Sequence, residues 1–155
     1  MAVRSCKIIL VIVVALLALI SSVGDVIQYS EYLIFYPAQP QVDGSSTAYV
    51  GFAGAAGLWH ICVVLLEIGA AIFCGGGVWA MIRHRNGSAA QFTRSKRPAL
   101  IGIAVGFLAW QLSFVTLDGQ IMGMWMAAQW SGPQAAYRFL VLVGLIWLIV
   151  WRKDK

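Results

Sequence analysis

Long apolar runs alternate with short basic or turn-rich stretches along this chain. Ile8 to Ile20 is apolar without a break, and apolar character resumes at Val26 and Ile27. A second run, LWHICVVLLEIGAAIFCGGGVWAMIR, covers Leu58 to Arg83; further runs cover Ala99 to Leu117 and Pro133 to Trp151. About 20 apolar residues in a helix cross the hydrocarbon core of a bilayer. The pattern therefore predicts membrane spans at 8–27, 58–82, 99–117 and 133–151. The expected fold is all-α: a single integral membrane domain, 1–155, built as a four-helix bundle.

The connecting segments refine these boundaries. Met1 to Lys7 is short and basic. With the following apolar run it also fits a secretory signal peptide, but no A-x-A cleavage pattern follows, and the apolar character continues to Ile27. A retained first helix is expected, with Asp25 and Gln28 at its end and Tyr29, Tyr32 and Tyr36 as an interfacial belt. Residues 31–57 hold the turn formers Pro37, Pro40, Asp43 and Gly44. Ala48 to Gly57 reads as a short interfacial helix, or a flexible lead-in, to the second span. Arg83 to Pro98 reads as a polar loop, with Pro98 in the first turn of the third helix. Asn86-Gly87-Ser88 within it matches a glycosylation sequon, which a cytoplasmic loop would leave unused.

Charge sets the class and the orientation. Only 11% of the 155 residues are charged, against about 25% in soluble domains. The net charge of +5 does not point to nucleic acid, because ten of the eleven Lys and Arg cluster beside helix ends: Arg4 and Lys7; Arg83, Arg85, Arg94, Lys96 and Arg97; Arg152, Lys153 and Lys155. By the positive-inside rule both termini and the 83–98 loop are cytoplasmic. A multi-pass protein of a bacterial inner membrane is expected, with lipid headgroups as partners of these clusters. The cysteines, Cys6, Cys62 and Cys74, form no CxxC; the latter two are expected to be small packing residues. Gly75-Gly76-Gly77 and the Gly102/Gly106 pair are read as sites of close helix contact.

The candidate chemistry lies in the ionisable and amide residues caught inside the apolar runs. Glu67 is about 13 Å into the second span, too deep for a short acidic side chain to reach water. A carboxylate there should face protein or a water-filled cavity. His60 is seven residues before it, on the same helix face. With the second and fourth spans running the same way, Arg138 lies within about 6 Å of the depth of Glu67. An ion pair between the two is expected, since a buried charge without a partner is expensive. His60, Gln111 and Gln134 complete a polar cluster in the outer half of the membrane. Met124, Trp125 and Trp130, in the external segment 118–132, are read as packing residues or as an apolar wall beside that cluster.

One set of residues supports a family resemblance: Phe92, Lys96, Gly102, Gly106 and Trp110, then Trp125, Trp130, Gly132, Gln134, Ala136, Arg138 and Phe139, with His60 and Glu67 in the second span. In these the chain resembles the small four-helix bacterial membrane proteins described as predicted small integral membrane proteins, a domain of unknown function. The resemblance implies fold and location, and no activity. The chain departs from the pattern at Asp118-Gly119-Gln120-Ile121, where an acid followed by an aromatic is expected. It departs again at Pro133, which looks like an insertion in a Trp-Asn-Gly-Gln type motif.

Three functions fit. The first is an accessory or structural subunit, or assembly partner, of a larger membrane complex, favoured by small size and the lack of a cofactor motif. The second is a lipid- or quinone-binding module with its polar pocket in the outer leaflet. The third is a proton or small-solute carrier using Glu67 and His60. No HExxH, GxSxG or phosphate loop points to an enzyme. A lone His60 is a weak haem ligand, and no cofactor or metal is assigned.

Overall fold

A computed structural model describes residues 2–27, 46–113 and 132–154, with side chains for 2–27, 58–113 and 137–154. The described residues are helical, without a strand. The helices are α1 (Ala2–Ile27), α2 (Ser46–Arg83), α3 (Ala89–Ser95), α4 (Arg97–Trp110) and α5 (Gly132–Trp151). Two stretches, Ala2–Ile27 and Leu58–Arg83, are long and apolar enough to cross a membrane; Tyr137–Trp151 is a shorter apolar helix.

Each helix turns a spaced stripe of small or branched residues inward. On α1 the stripe is Lys7, Val11, Val14, Ala18 and Ser22; on α4 it is Ala99, Gly102, Ile103, Gly106, Ala109 and Trp110. Steps of three and four residues keep such a set on one helix face. α2 packs most extensively on α4 and α1. The α2–α4 contact is as close as backbones allow. A Cβ on Gly102 would stand 2.6 Å from the Cys74 amide nitrogen, and one on Gly77 would stand 2.5 Å from that of Ala99. The close contact expected of Gly102 is thus present. Of the three consecutive glycines only Gly77 serves it, since Gly75 and Gly76 face open space. Cys74 is buried in this seam, whereas Cys62 is exposed and is not the buried packing residue expected.

Two boundaries differ from the sequence reading. Ser46 to Arg83 is one helix, so the lead-in at 48–57 is continuous with the span rather than a separate piece. The loop after α2 contains a helix of its own, α3. Its start is a capping box: Gln91 N–H donates to Ser88 Oγ, and Ser88 N–H donates to Gln91 Oε1. This reciprocal pair satisfies two backbone donors that a helix start leaves free. Phe92 on α3 is fully buried, under the guanidinium of Arg4 at 5.1 Å.

Both termini and the α2–α3 turn meet at one end, here termed the terminal end. Arg4 donates to the Arg85 and Gly87 carbonyls at 2.9 and 2.7 Å. Lys7 and Lys96 both donate to the Arg152 carbonyl, at 2.6 and 2.9 Å, and each bonds one oxygen of Asp154, at 2.9 and 2.6 Å. These three side chains are 1–4% exposed. Two of the clustered bases therefore hold the end of the chain instead of facing lipid headgroups. The reason is stoichiometric: Asp154 is the sole acidic side chain at this end among the described residues, and its two oxygens accept one ammonium each.

Candidate functional site

At the far end, opposite the termini, α1, α2 and α4 bring their polar residues together. Glu67 is 1% exposed. Its Oε1 accepts two hydrogen bonds of 2.8 Å, from Ser21 Oγ on α1 and from Trp110 Nε1 on α4. One carboxylate oxygen thus ties three helices. Trp110, itself buried, is fixed from the other side by Phe139 of α5, edge to face with ring centroids 4.8 Å apart. Its ring also lies beside Gly106, where a Cβ would come within 3.2 Å of it. The small residues of α4 therefore make room for the indole that holds Glu67.

The second oxygen, Oε2, is buried with no hydrogen-bond partner of ordinary length. The Asp25 carboxyl lies beside Glu67, close enough for the two carboxyls to hydrogen-bond when one of them carries a proton. Asp25 also faces His60. The His60 ring is 8% exposed, and its Nε2 donates to the Asp25 backbone carbonyl at 3.1 Å. Because a carbonyl only accepts, this bond puts a proton on Nε2. The result is a file of polar groups, Glu67, Asp25 and His60, running toward the far end. In the other direction the packing closes, since Ala70, Cys74, Ala99 and Ile103 are all fully buried.

The expected ion pair between Glu67 and Arg138 does not form. Arg138 is exposed, and both ion pairs among the described residues are made by Asp154. The buried face of α5 carries Leu140, Val143 and Val150. Arg138 precedes Leu140 by two residues, which places it about 200° around the helix from that face. Depth was compatible with pairing, but helical phase was not. His60 and Glu67 share the site as expected. Gln111 is half-buried in a π-helical turn, 111–113, directly after Trp110. The side chain of Gln134, and Met124, Trp125 and Trp130, lie outside the described residues.

Ser21, Asp25 and Trp110 complete the cluster and were not assigned to it from sequence. Ser21 and Asp25 are four residues apart on α1, hence on one face. That phase, compared with the His60–Glu67 face, was the available signal. Among the described residues no group of three or more His, Cys, Asp or Glu is placed to hold a metal ion.

A family model described as "Predicted small integral membrane protein (DUF2165)" matches residues 48–153, well over half of the chain. The chain belongs to this family. It is therefore a small integral membrane protein, as the resemblance in His60, Glu67, Gly102, Gly106 and Trp110 implied. In a DUF2165 protein the two long apolar helices are candidate membrane spans, and Glu67 lies within the second of them. The match includes α2 through α5, and so His60, Glu67 and Trp110; Ser21 and Asp25 precede it. No curated protein and no solved structure matches the chain.

Proposed function

We propose that the Glu67 cluster is a proton-exchanging site that opens to one side of the membrane only. The carrying observation is Glu67 Oε2, buried within the helices with no N–H or O–H donor and no cation to satisfy it, while a second carboxyl, Asp25, lies beside Glu67. A structural tie between helices needs only Oε1, and its two donors leave Oε2 unexplained. Two carboxyls side by side can hydrogen-bond only through a proton that one of them holds, and intramembrane carboxyls serve as proton relays. Asp25 and His60 give that proton a route to the far end, and the close-packed α2–α4 seam blocks the terminal end. The site binds and releases a proton without conducting it across.

The membrane is a bacterial inner membrane, crossed several times, with both termini in the cytoplasm. What supports this orientation is the gathering of ten of eleven bases at the end where the termini meet. The test uses the full chain in sealed vesicles with a pH step applied to one face, read by infrared difference spectra of carboxyl groups. One carboxyl should change state per chain, from the far-end face alone, and Glu67→Gln should remove the signal. An unchanged signal in Glu67→Gln would assign the site a purely structural role.

A second observation favours the accessory-subunit reading, which is compatible with the first. Gly75 and Gly76 lie on an exposed face of α2, where a Cβ would meet nothing. A glycine inside a helix costs about 1 kcal/mol relative to alanine, and no described residue packs close enough to offset that cost here. Close approach of a helix from a partner protein would. Gly76→Leu should then release a co-purifying partner chain while the fold of the isolated protein is kept. A partner retained by Gly76→Leu would refute docking at this face.

A further inference from the structure

At the terminal end an open cleft of about 340 Å³ lies between the end of α2, α3 and the start of α4, lined by Ala80, His84, Gln91, Arg94, Ser95 and Pro98. No acidic residue lines it. The one acidic side chain at this end among the described residues, Asp154, is buried and engaged by Lys7 and Lys96, so it is not turned toward the cleft. Arg94 is exposed and has no ion-pair partner among the described residues. His84 donates through Nδ1 to the Ala80 carbonyl at 2.9 Å, which fixes the ring and leaves Nε2 on its other edge. Gln91 uses its oxygen on the Ser88 amide, which leaves the NH2 group as a donor. Ala80 and Pro98 supply an apolar floor.

The level of the cleft identifies its occupant. α2 reaches the end of its span at Arg83, whose guanidinium lies over the exposed Trp79 ring at 5.6 Å. An aromatic ring capped by a base is the arrangement of a membrane interface, with the ring at headgroup level. Ala80 and His84 are one to five residues beyond Trp79, so the cleft opens at the depth of lipid phosphates. A cationic pocket between helices at that depth is suited to an anionic headgroup.

We propose that this cleft binds the phosphate of an anionic phospholipid, with Arg94 as the principal anchor, His84 and Gln91 as further contacts, and the start of the acyl region against Ala80 and Pro98. The site is separate from the Glu67 cluster, and its ligand and location do not depend on that reading.

The test is native mass spectrometry of the full-length protein in detergent, titrated with phosphatidylglycerol and, separately, phosphatidylcholine. A first phosphatidylglycerol adduct should form at concentrations where phosphatidylcholine gives none. Arg94→Gln should weaken that adduct by about tenfold or more, in line with the loss of a charge-assisted contact. Arg85→Gln removes the same charge from the same end outside the cleft, and should weaken it by less than about threefold. Equal losses in the two variants would mean diffuse surface attraction and overturn the proposal. So would equal binding of the two lipids. Competition of the adduct by millimolar inorganic phosphate alone would assign the cleft to a soluble anion and overturn the lipid assignment.

Discussion

Trp110 on α4 and Glu67 on α2 are joined by a hydrogen bond of 2.8 Å, donated by the indole N–H to Oε1. The same oxygen accepts from Ser21 on α1 at 2.8 Å. Removing either donor leaves a buried carboxyl less satisfied. Trp110→Phe should cost about 1–3 kcal/mol and Ser21→Ala somewhat less, since truncating a buried hydrogen-bond partner carries the desolvation cost of the group left behind. Thermal unfolding in detergent, followed by helicity, checks the order. A Trp110→Phe protein as stable as wild type would show that the bond contributes nothing net.

Arg138 gives the opposite expectation. It is exposed and has no bond to Glu67. Arg138→Gln should change stability by less than about 0.5 kcal/mol, as for most surface substitutions. Combined with Glu67→Gln its effect should be additive within about 0.5 kcal/mol. Rescue of Glu67→Gln by Arg138→Gln would reinstate the ion pair.

Gly102 and Gly76 separate a required glycine from a spare one. Gly102→Ala would force a methyl group to 2.6 Å from the Cys74 backbone, and Gly76→Ala would meet nothing. The first should lower stability by about 1–3 kcal/mol through overpacking. The second should raise the stability of the isolated chain by up to about 1 kcal/mol. The measurement is the shift in midpoint of detergent unfolding for the two variants side by side. Shifts of the same sign would contradict the α2–α4 geometry.

Asp154 is the hinge of charge balance at the terminal end. Asp154→Asn leaves Lys7 and Lys96 buried with only the Arg152 carbonyl between them, and breaking a buried pair in this way costs about 3–5 kcal/mol. Burial pushes the Asp154 carboxyl up, but the hydrogen bonds and charges of Lys96 and Lys7 outweigh it and hold it below the ordinary 3.8. Lys96 is held below its ordinary 10.5, chiefly by burial with help from the Lys7 charge, despite its bond to Asp154. For Asp154 the folded value lies below the unfolded one. Its stabilisation is therefore complete above about pH 4 and disappears as pH falls through the depressed folded value. Loss of stability below pH 4 should be steeper in wild type than in Asp154→Asn, as measured by unfolding at graded pH. Parallel profiles would mean the carboxylate is not held by the two lysines.

Much of the fold was legible along the chain. The apolar runs near 8–27, 58–82 and 133–151 coincide with helices α1, α2 and α5, because a long apolar run buries its backbone polar groups best as a helix. Pro98 marked the start of α4 and Gly102 its close contact. α3 was missed because its signal is the pair Ser88 and Gln91, four characters inside a polar stretch that looks like a loop. Half of the candidate site was legible too: His60 and Glu67 stand out as ionisable residues in an apolar run.

The partners of Glu67 were not legible, and the reason is geometric. Sequence position gives depth along a helix at 1.5 Å per residue, and on depth alone Arg138 could pair with Glu67. It does not give the rotation of one helix against another. Each helix settles its rotation by burying its small-residue stripe, and that choice turned Arg138 outward and brought Ser21, Asp25 and Trp110 inward. By itself, the sequence determined that the protein is helical, that it enters a membrane, and that a carboxyl lies deep within an apolar helix. Tertiary packing decided which side chains meet that carboxyl, set a second carboxyl rather than a donor beside it, and drew two lysines from opposite parts of the chain onto Asp154.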